Sequence, residues 1–246
     1  MSFKEYSRSD LDQEIKLFWK EKLAIQKTGD LIKSKGLPPM YFNVGPNEVD
    51  EDDGFEVRSV EACWAQRDDV VAYATGILFG SSEPGLGIDS NQMVIECDRI
   101  SQHYYDATEM LYQSHAENEP FCETFNESQW ITEFCILEVH PSHKGKGIGI
   151  KLGLQFIDTL RKNYSTAFIF FKPYPLQYSK GDGPRKYFDP QDHKDAFDRD
   201  LKKLFELYRT GWNAKDFPGA TDHMWIPGST GLTVLPAHEG ARWTLA

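Results

Sequence analysis

WITEFCILEVHPSHKGKGIGI, residues 130–150, decides the fold. Its opening run, residues 130–140, is apolar on both parities: Phe134 and Ile136 on one, Cys135, Leu137 and Val139 on the other. A strand apolar on both sides belongs inside a covered sheet. Pro141 ends it, because proline has no N–H to give a ladder. After Lys144-Gly145-Lys146-Gly147-Ile148-Gly149, the residues Ile148, Leu152, Phe156 and Leu160 recur every four positions. That spacing predicts a helix over 147–162 with one buried stripe.

Strand, glycine loop, helix is an anion-binding order. Glycines let backbone N–H groups approach phosphate oxygens without a Cβ in the way. A helix N-terminus adds unpaired N–H donors and the positive end of its dipole. Lys144 and Lys146 add charge. A Walker A loop is excluded, since no GxxxxGK run followed by serine or threonine exists. A Rossmann fingerprint is disfavoured too: Gly145, Gly147 and Gly149 give GxGxG, past mid-chain.

Outward from this centre, two segments read as a hairpin, strands over 55–65 and 69–79 joined by Gln66-Arg67-Asp68. Toward the N-terminus, Leu11, Ile15, Phe18 and Trp19 stripe a helix over 9–28, with Ser9 and Asp12 as its capping pair, and Gly36-Leu37-Pro38-Pro39 prevents its continuation. Residues 97–114 carry Ile100, Tyr104, Ala107 and Leu111 at helical spacing. Acidic stretches at 47–54 and 117–127 read as solvated loops. Downstream, 166–172 reads as a buried strand and 191–212 as a helix with Phe197, Leu201, Leu204 and Leu207 or Tyr208 on one face. Short strands are expected at 221–226 and 232–235.

The chain of 246 residues suits one large domain. Its formal net charge of −11 disfavours nucleic acid and favours a cationic substrate over an anionic one. Cys63, Cys97, Cys122 and Cys135 form no CxxC pair and no zinc spacing. His140 and His143 flank Pro141 in a turn, a poor metal site, so no metal is expected. No apolar run approaches the roughly 18 residues of a membrane span, and the N-terminal residues lack a signal peptide's apolar core. The expectation is a cytoplasmic protein with reduced thiols, with no membrane partner.

Val139-His140-Pro141 followed by Lys144-Gly145-Lys146-Gly147-Ile148-Gly149 resembles the GNAT superfamily motif, V-x-P at a strand end and then (Q/R)-x-x-G-x-(G/A). Lys144 stands where glutamine or arginine is usual. The late Leu207-Tyr208-Arg209-Thr210-Gly211-Trp212 is similar to the family's aromatic-x-x-x-Gly-Phe segment. The resemblance covers about residues 130–226, with the hairpin as the preceding strands. It implies an α/β (α+β) fold: a mixed, mostly antiparallel central sheet with a splayed strand pair, flanked by helices. It also implies a single domain over 1–246, with its core at about 55–236, a helical extension over 1–50 and an insertion at about 84–128.

The same resemblance implies an N-acetyltransferase that moves acetyl from acetyl-CoA to a primary amine by direct attack in a ternary complex. It puts the pyrophosphate on residues 144–149 and the pantetheine along Leu137, Glu138 and Val139, paired like an added strand. The Leu137 N–H then faces the developing oxyanion. The resemblance makes Glu133 the candidate base, since some histone acetyltransferases of the superfamily carry a glutamate on this strand eleven residues before the first motif position; it shares parity with Cys135 and Leu137, and apolar neighbours would raise its pKa, the alternative being a glutamate at the strand edge that faces solvent. Glu138 is the rival, with opposite parity. Tyr208 is the candidate acid for the departing thiolate, or else a core aromatic: it sits three residues before Gly211, and Leu207 holds the family's usual place. A non-catalytic CoA-binding module on the same fold is the other reading. The acceptor is not legible.

Overall fold

A computed structural model describes residues 17–48, 55–67, 69–81, 93–95, 97, 98, 102–115, 125, 128–164, 166–175 and 194–227. The capping pair Ser9 and Asp12, the residues Leu11, Ile15, Ile100 and Cys122, nearly all of both acidic stretches and the strand expected at 232–235 lie outside them.

Among the described residues, eight strands form one sheet. They are β1 (Asp30–Ile32), β2 (Met40–Asn47), β3 (Glu56–Gln66), β4 (Asp69–Gly80), β5 (Trp130–Val139), β6 (Thr166–Phe171), β7 (Lys215–Phe217) and β8 (Ala220–Ile226), in spatial order β1-β2-β3-β4-β5-β6-β8-β7. Every neighbouring pair is antiparallel except β5–β6, which is parallel. The doubly apolar strand β5 thus sits well inside the sheet, as its composition demands. β1 and β2 extend the sheet further toward the N-terminus than the expected core start at about residue 55. β2 reads MYFNVGPN; its Asn43, Gly45 and Pro46 mask the pattern, and its strand character comes from pairing with β3.

Helices on the sheet include α1 (Leu23–Thr28), α2 (Gln102–His115), α3 (Ile148–Tyr164) and α4 (Lys194–Trp212). Residues 17–21 are also helical, so the expected N-terminal helix is broken at Lys22. On one face, α3 buries Ile148, Leu152, Phe156 and Leu160 against Val60, Ala62, Ala72, Ala74, Leu78 and Phe134. A buried polar contact fixes its rotation: Trp64 Nε1 donates to Gln155 Oε1 at 2.8 Å. α4 joins the same core through buried Trp212, with Phe205 and Tyr208 packed beside it. Of the two candidates for its inner stripe, Tyr208 turns inward and Leu207 is exposed.

The crossing of α3 and α4 depends on one glycine. A Cβ at Gly153 would lie 2.1 Å from Trp212 Cζ2, so only glycine lets the indole lie on α3. Trp212 Nε1 donates to Ile150 O at 3.1 Å, which satisfies its buried N–H.

The opposite face carries two separate cores. Trp19 and Ile25 pack on Cys63, Val70 and Tyr73. Ala107 and Leu111 of α2, at the expected spacing, pack with Val57, Ile77, Phe79, Ile131 and Phe170. Among the described residues no helix is long and apolar enough to cross a membrane.

Candidate active site

β5 and β6 share a short parallel ladder whose last rung is Glu133↔Phe170. β6 ends at Phe171 while β5 runs on to Val139. Burial changes at the same place: residues 130–134 are buried and 135–140 are half-buried. Among the described residues, the far half of β5 therefore has β4 on one side and a slot with no strand on the other.

Backbone alternation says which groups face the slot. The His140 N–H donates to Val71 O at 2.9 Å, so residue 140 faces β4. Successive residues of an antiparallel strand turn their N–H and C=O to alternate sides. Glu138 then faces β4 as well, paired across from Tyr73, while Leu137 and Val139 turn their N–H and C=O into the slot. Of the three residues expected to meet a pantetheine arm, Leu137 and Val139 offer backbone groups and Glu138 has its own engaged.

At the open end lies the glycine loop. A 3-10 turn, Pro141–His143, follows β5 and leads into it, and α3 begins at Ile148. Gly145 and Gly147 take φ of +76° and +69°, the left-handed region that favours glycine. Among the described residues nothing lies within 4 Å of a Cβ at either, so the constraint they show is conformation. Lys144, Lys146 and Gly147 are exposed. The first amides of α3 have no i−4 carbonyl and point out of the helix end toward the loop. Gly149 seats α3 on the strand: its Cβ would meet Val139 Cγ2 at 3.2 Å and Leu137 Cδ2 at 3.5 Å.

Glu133 is buried, with 7 % of its surface exposed. Its place corrects the expected parity. Thr75 pairs with Ile136 and Gly76 with Phe134, so Cys135 is the extra residue of a β-bulge. The bulge reverses the alternation. Glu133 no longer shares a face with Leu137, which packs with the α3 core, and Glu138 falls on the same face as Glu133. Phe134 and Ile136, expected together, are likewise on opposite faces: Phe134 joins the α3 core and Ile136 packs beside Tyr73. Gly76 allows the close approach at this point, since a Cβ there would lie 2.7 Å from Glu133 O.

Around Glu133 stand groups the sequence did not single out. The Cys135 thiol donates to the Glu133 carbonyl at 3.7 Å, and burial, with Glu133 beside it, pushes that thiol well up. Tyr104 of α2 donates to Glu48 Oε2 at 3.5 Å. Burial first, then the carboxylate of Glu48 and the nearby Cys135 and Glu133, push its phenol up to about 12. Tyr104 was legible as a core position of α2 but not as a group within the field of Glu133, because the two lie in distant segments.

Tyr208 approaches from the other face. Its ring stacks on Trp212 at 4.4 Å and meets Phe171 edge-on at 5.1 Å, beside the point where β6 leaves β5. Burial pushes its phenol up to about 12, so it remains a proton donor at neutral pH. Glu133 and Tyr208 therefore sit on opposite faces of the sheet, one at the last shared rung and the other against the next residue of β6. Among the described residues, no three or more His, Cys, Asp or Glu gather as a metal site.

A parallel pair that parts midway, a glycine loop at the open end of the longer strand, and helices on both faces define the topology. The fold is GNAT-like. Among solved structures, the chain is similar to arylalkylamine N-acetyltransferase 2 from Aedes aegypti, at 17 % identity and TM-score 0.30, over 46 % of this chain and 49 % of that one. It spans about half the length of that enzyme. It is also similar to AtaTR bound with AcCoA, at 11 % identity and TM-score 0.33, over 76 % and 93 % of the two chains. A third likeness is mosquito arylalkylamine N-acetyltransferase like 5b, at 15 % identity and TM-score 0.31, over 68 % and 71 %. No family model matches the sequence. A search of curated proteins likewise finds no match. The strand order and the slot, rather than these distant likenesses, define the fold.

Proposed function

We propose that the chain is an N-acetyltransferase that moves acetyl from acetyl-CoA to a primary amine within a ternary complex. The observation that carries this reading is the slot: Leu137 and Val139 turn their backbone groups toward it, and it opens onto the Gly145–Gly147 loop and the first turn of α3. A pantetheine has amides to pair with a strand edge, and a pyrophosphate has the charge for a helix N-terminus.

In this reading the thioester lies in the slot near the last shared rung. The amine nitrogen, once neutral, attacks the thioester carbon. Leu137 N–H stabilises the oxyanion of the tetrahedral intermediate. Glu133 takes the ammonium proton, directly or through a water. The carbon–sulfur bond then breaks; Tyr208 protonates the departing thiolate, and the proton that leaves the nitrogen of the intermediate returns through water to the Tyr208 phenolate. The opposite placement of Glu133 and Tyr208 suits this order, because nucleophile and leaving group occupy different sides of a tetrahedral carbon. The net charge of −11 favours a cationic acceptor.

A screen of amines with acetyl-CoA, read as free thiol release, tests the reading. Thiol release with at least one amine supports it; none, with every amine class tried, removes it. The other reading, a CoA-binding module without turnover, draws support from the bulge that turns Glu133 away from the face of Leu137. Acetyl-CoA binding without thiol release would select it.

A further inference from the structure

On the sheet face away from α3 lies a cleft of about 550 Å³, between the N-terminal helical segment and the turn Pro141–His143. Its volume falls in the range of small-molecule sites, roughly 300–1,000 Å³. Trp19, Leu23 and Val70 give it an apolar wall, and Lys20 and Asp69 bring one charge of each sign. None of these residues takes part in the mechanism above.

We propose that this cleft binds a free α-amino acid with an apolar side chain: Asp69 takes the ammonium, Lys20 the carboxylate, and the apolar wall the side chain. The site is separate from the slot, and its occupancy needs no acetyl-CoA.

Charge is the first reason. Lys20 and Asp69 are both exposed, and among the described residues neither pairs with another fixed charge. A rim with one cation and one anion suits a zwitterion. A ligand of either single sign would meet one attractive and one repulsive group there.

The second reason is a pre-set hydrogen-bond chain in the turn that closes the cleft. Ser142 Oγ lies 2.7 Å from His140 Nδ1 and 2.8 Å from His143 Nδ1. The Ser142 N–H also donates to His140 Nδ1, at 3.4 Å, so that nitrogen is an acceptor and the His140 proton sits on Nε2. The serine hydroxyl then donates to His140 and accepts from the His143 Nδ1–H. His140 Nε2 is therefore a donor, and Nε2 of an uncharged His143 ring is an acceptor. Among the described residues no hydrogen bond engages either Nε2. Each charge of the ligand thus has a matched pair: Lys20 and His140 donate to the carboxylate, while Asp69 and His143 accept from the ammonium. Burial first, and then His143, lower the pKa of His140 against the opposing pull of Asp69, in keeping with a neutral ring.

The third reason is that wall and turn are joined. The Trp19 ring meets His140 edge-on at 5.1 Å, so the apolar surface and the polar groups hold a fixed relation before any ligand arrives.

Calorimetric titration of the full chain, without acetyl-CoA, compares L-phenylalanine with 3-phenylpropanoate, which lacks only the ammonium group. The intact protein should bind phenylalanine about tenfold tighter or more, the scale of one charge-assisted hydrogen bond. Asp69→Asn should bind the two ligands alike, at the intact protein's affinity for 3-phenylpropanoate. Lys20→Met should weaken both by about tenfold. Both side chains are exposed, so the variants should fold, and circular dichroism checks this. Phenylalanine bound elsewhere, at the amine site beside Glu133 for example, would keep its preference in Asp69→Asn, and that result overturns the assignment. Equal binding of the two ligands by the intact protein, or no saturable binding of phenylalanine, overturns it as well. None of these outcomes bears on the acetyl-CoA reading, which is tested by thiol release.

Discussion

Glu133 and Phe170 form the last rung that β5 and β6 share, and two residues farther along β5 the bulge at Cys135 turns the strand over. Ladder end and bulge together give one short strand two roles. Its first half is sheet interior, and its second half borders the slot with its side chains on changed faces. Glu133 is left on the side of Tyr104 and α2, while Leu137 seats α3 through Gly149.

If Glu133 takes the ammonium proton, Glu133→Gln should lower kcat by about 10²-fold or more while acetyl-CoA affinity holds, the usual scale for loss of a general base. Steady-state kinetics on any accepted amine, with a binding titration alongside, reads both. A rate at the level of the unsubstituted chain would move the role to water or to Glu138, which shares the Glu133 face.

Tyr208 makes a prediction in pH. Its phenol titrates near 12 in the folded protein against an ordinary 10.0, with burial as the cause. It stays protonated through the neutral range, so it should produce no alkaline fall in kcat below about pH 11. Tyr208→Phe should lower kcat by up to about 10²-fold and leave the KM for acetyl-CoA unchanged. The sign for stability follows from the raised value. The unfolded chain loses this proton first, so the stabilisation is whole below pH 10 and is lost as pH rises toward 12. Tyr208→Phe should flatten that alkaline loss in a denaturation series; an unchanged slope contradicts the desolvated phenol.

The central strand, the glycine loop and α3 were readable because each shows a local pattern: apolarity on both sides, alternate glycines after a proline, and a four-residue stripe. α2 and the hairpin β3–β4 were readable for the same reason. β1, β2 and β7 were not. β2 carries Asn43, Gly45 and Pro46, and β1 and β7 are three residues each, so their strand character comes from partners distant in sequence. The face of Glu133 was misread for a related reason. Strict alternation holds only in the absence of a bulge, and the bulge at Cys135 shows itself only in the register with Thr75 and Gly76.

Gly153 should tolerate no side chain. Its Cβ would lie 2.1 Å from Trp212, a fully buried indole that also contacts Phe134 and Phe171 beside the slot. Gly153→Ala should destabilise by about 1–3 kcal/mol through overpacking, in spite of alanine's better helix propensity. Chemical denaturation reads this as a lower midpoint, and a midpoint equal to or above that of the unsubstituted chain would mean that α4 shifts freely on α3.

The proposed function depends first on the glycine loop as the seat of the donor's pyrophosphate. Gly147 has φ +69° and, among the described residues, nothing within 4 Å of its Cβ position, so Gly147→Glu brings both backbone strain and a negative charge to the mouth of the slot. The deciding measurement is a calorimetric titration of acetyl-CoA into the intact chain and into Gly147→Glu, with circular dichroism to confirm that the variant folds. Saturable binding to the intact chain and none to the folded variant is the expected result. Equal affinity in the two, or no binding to the intact chain, would contradict it.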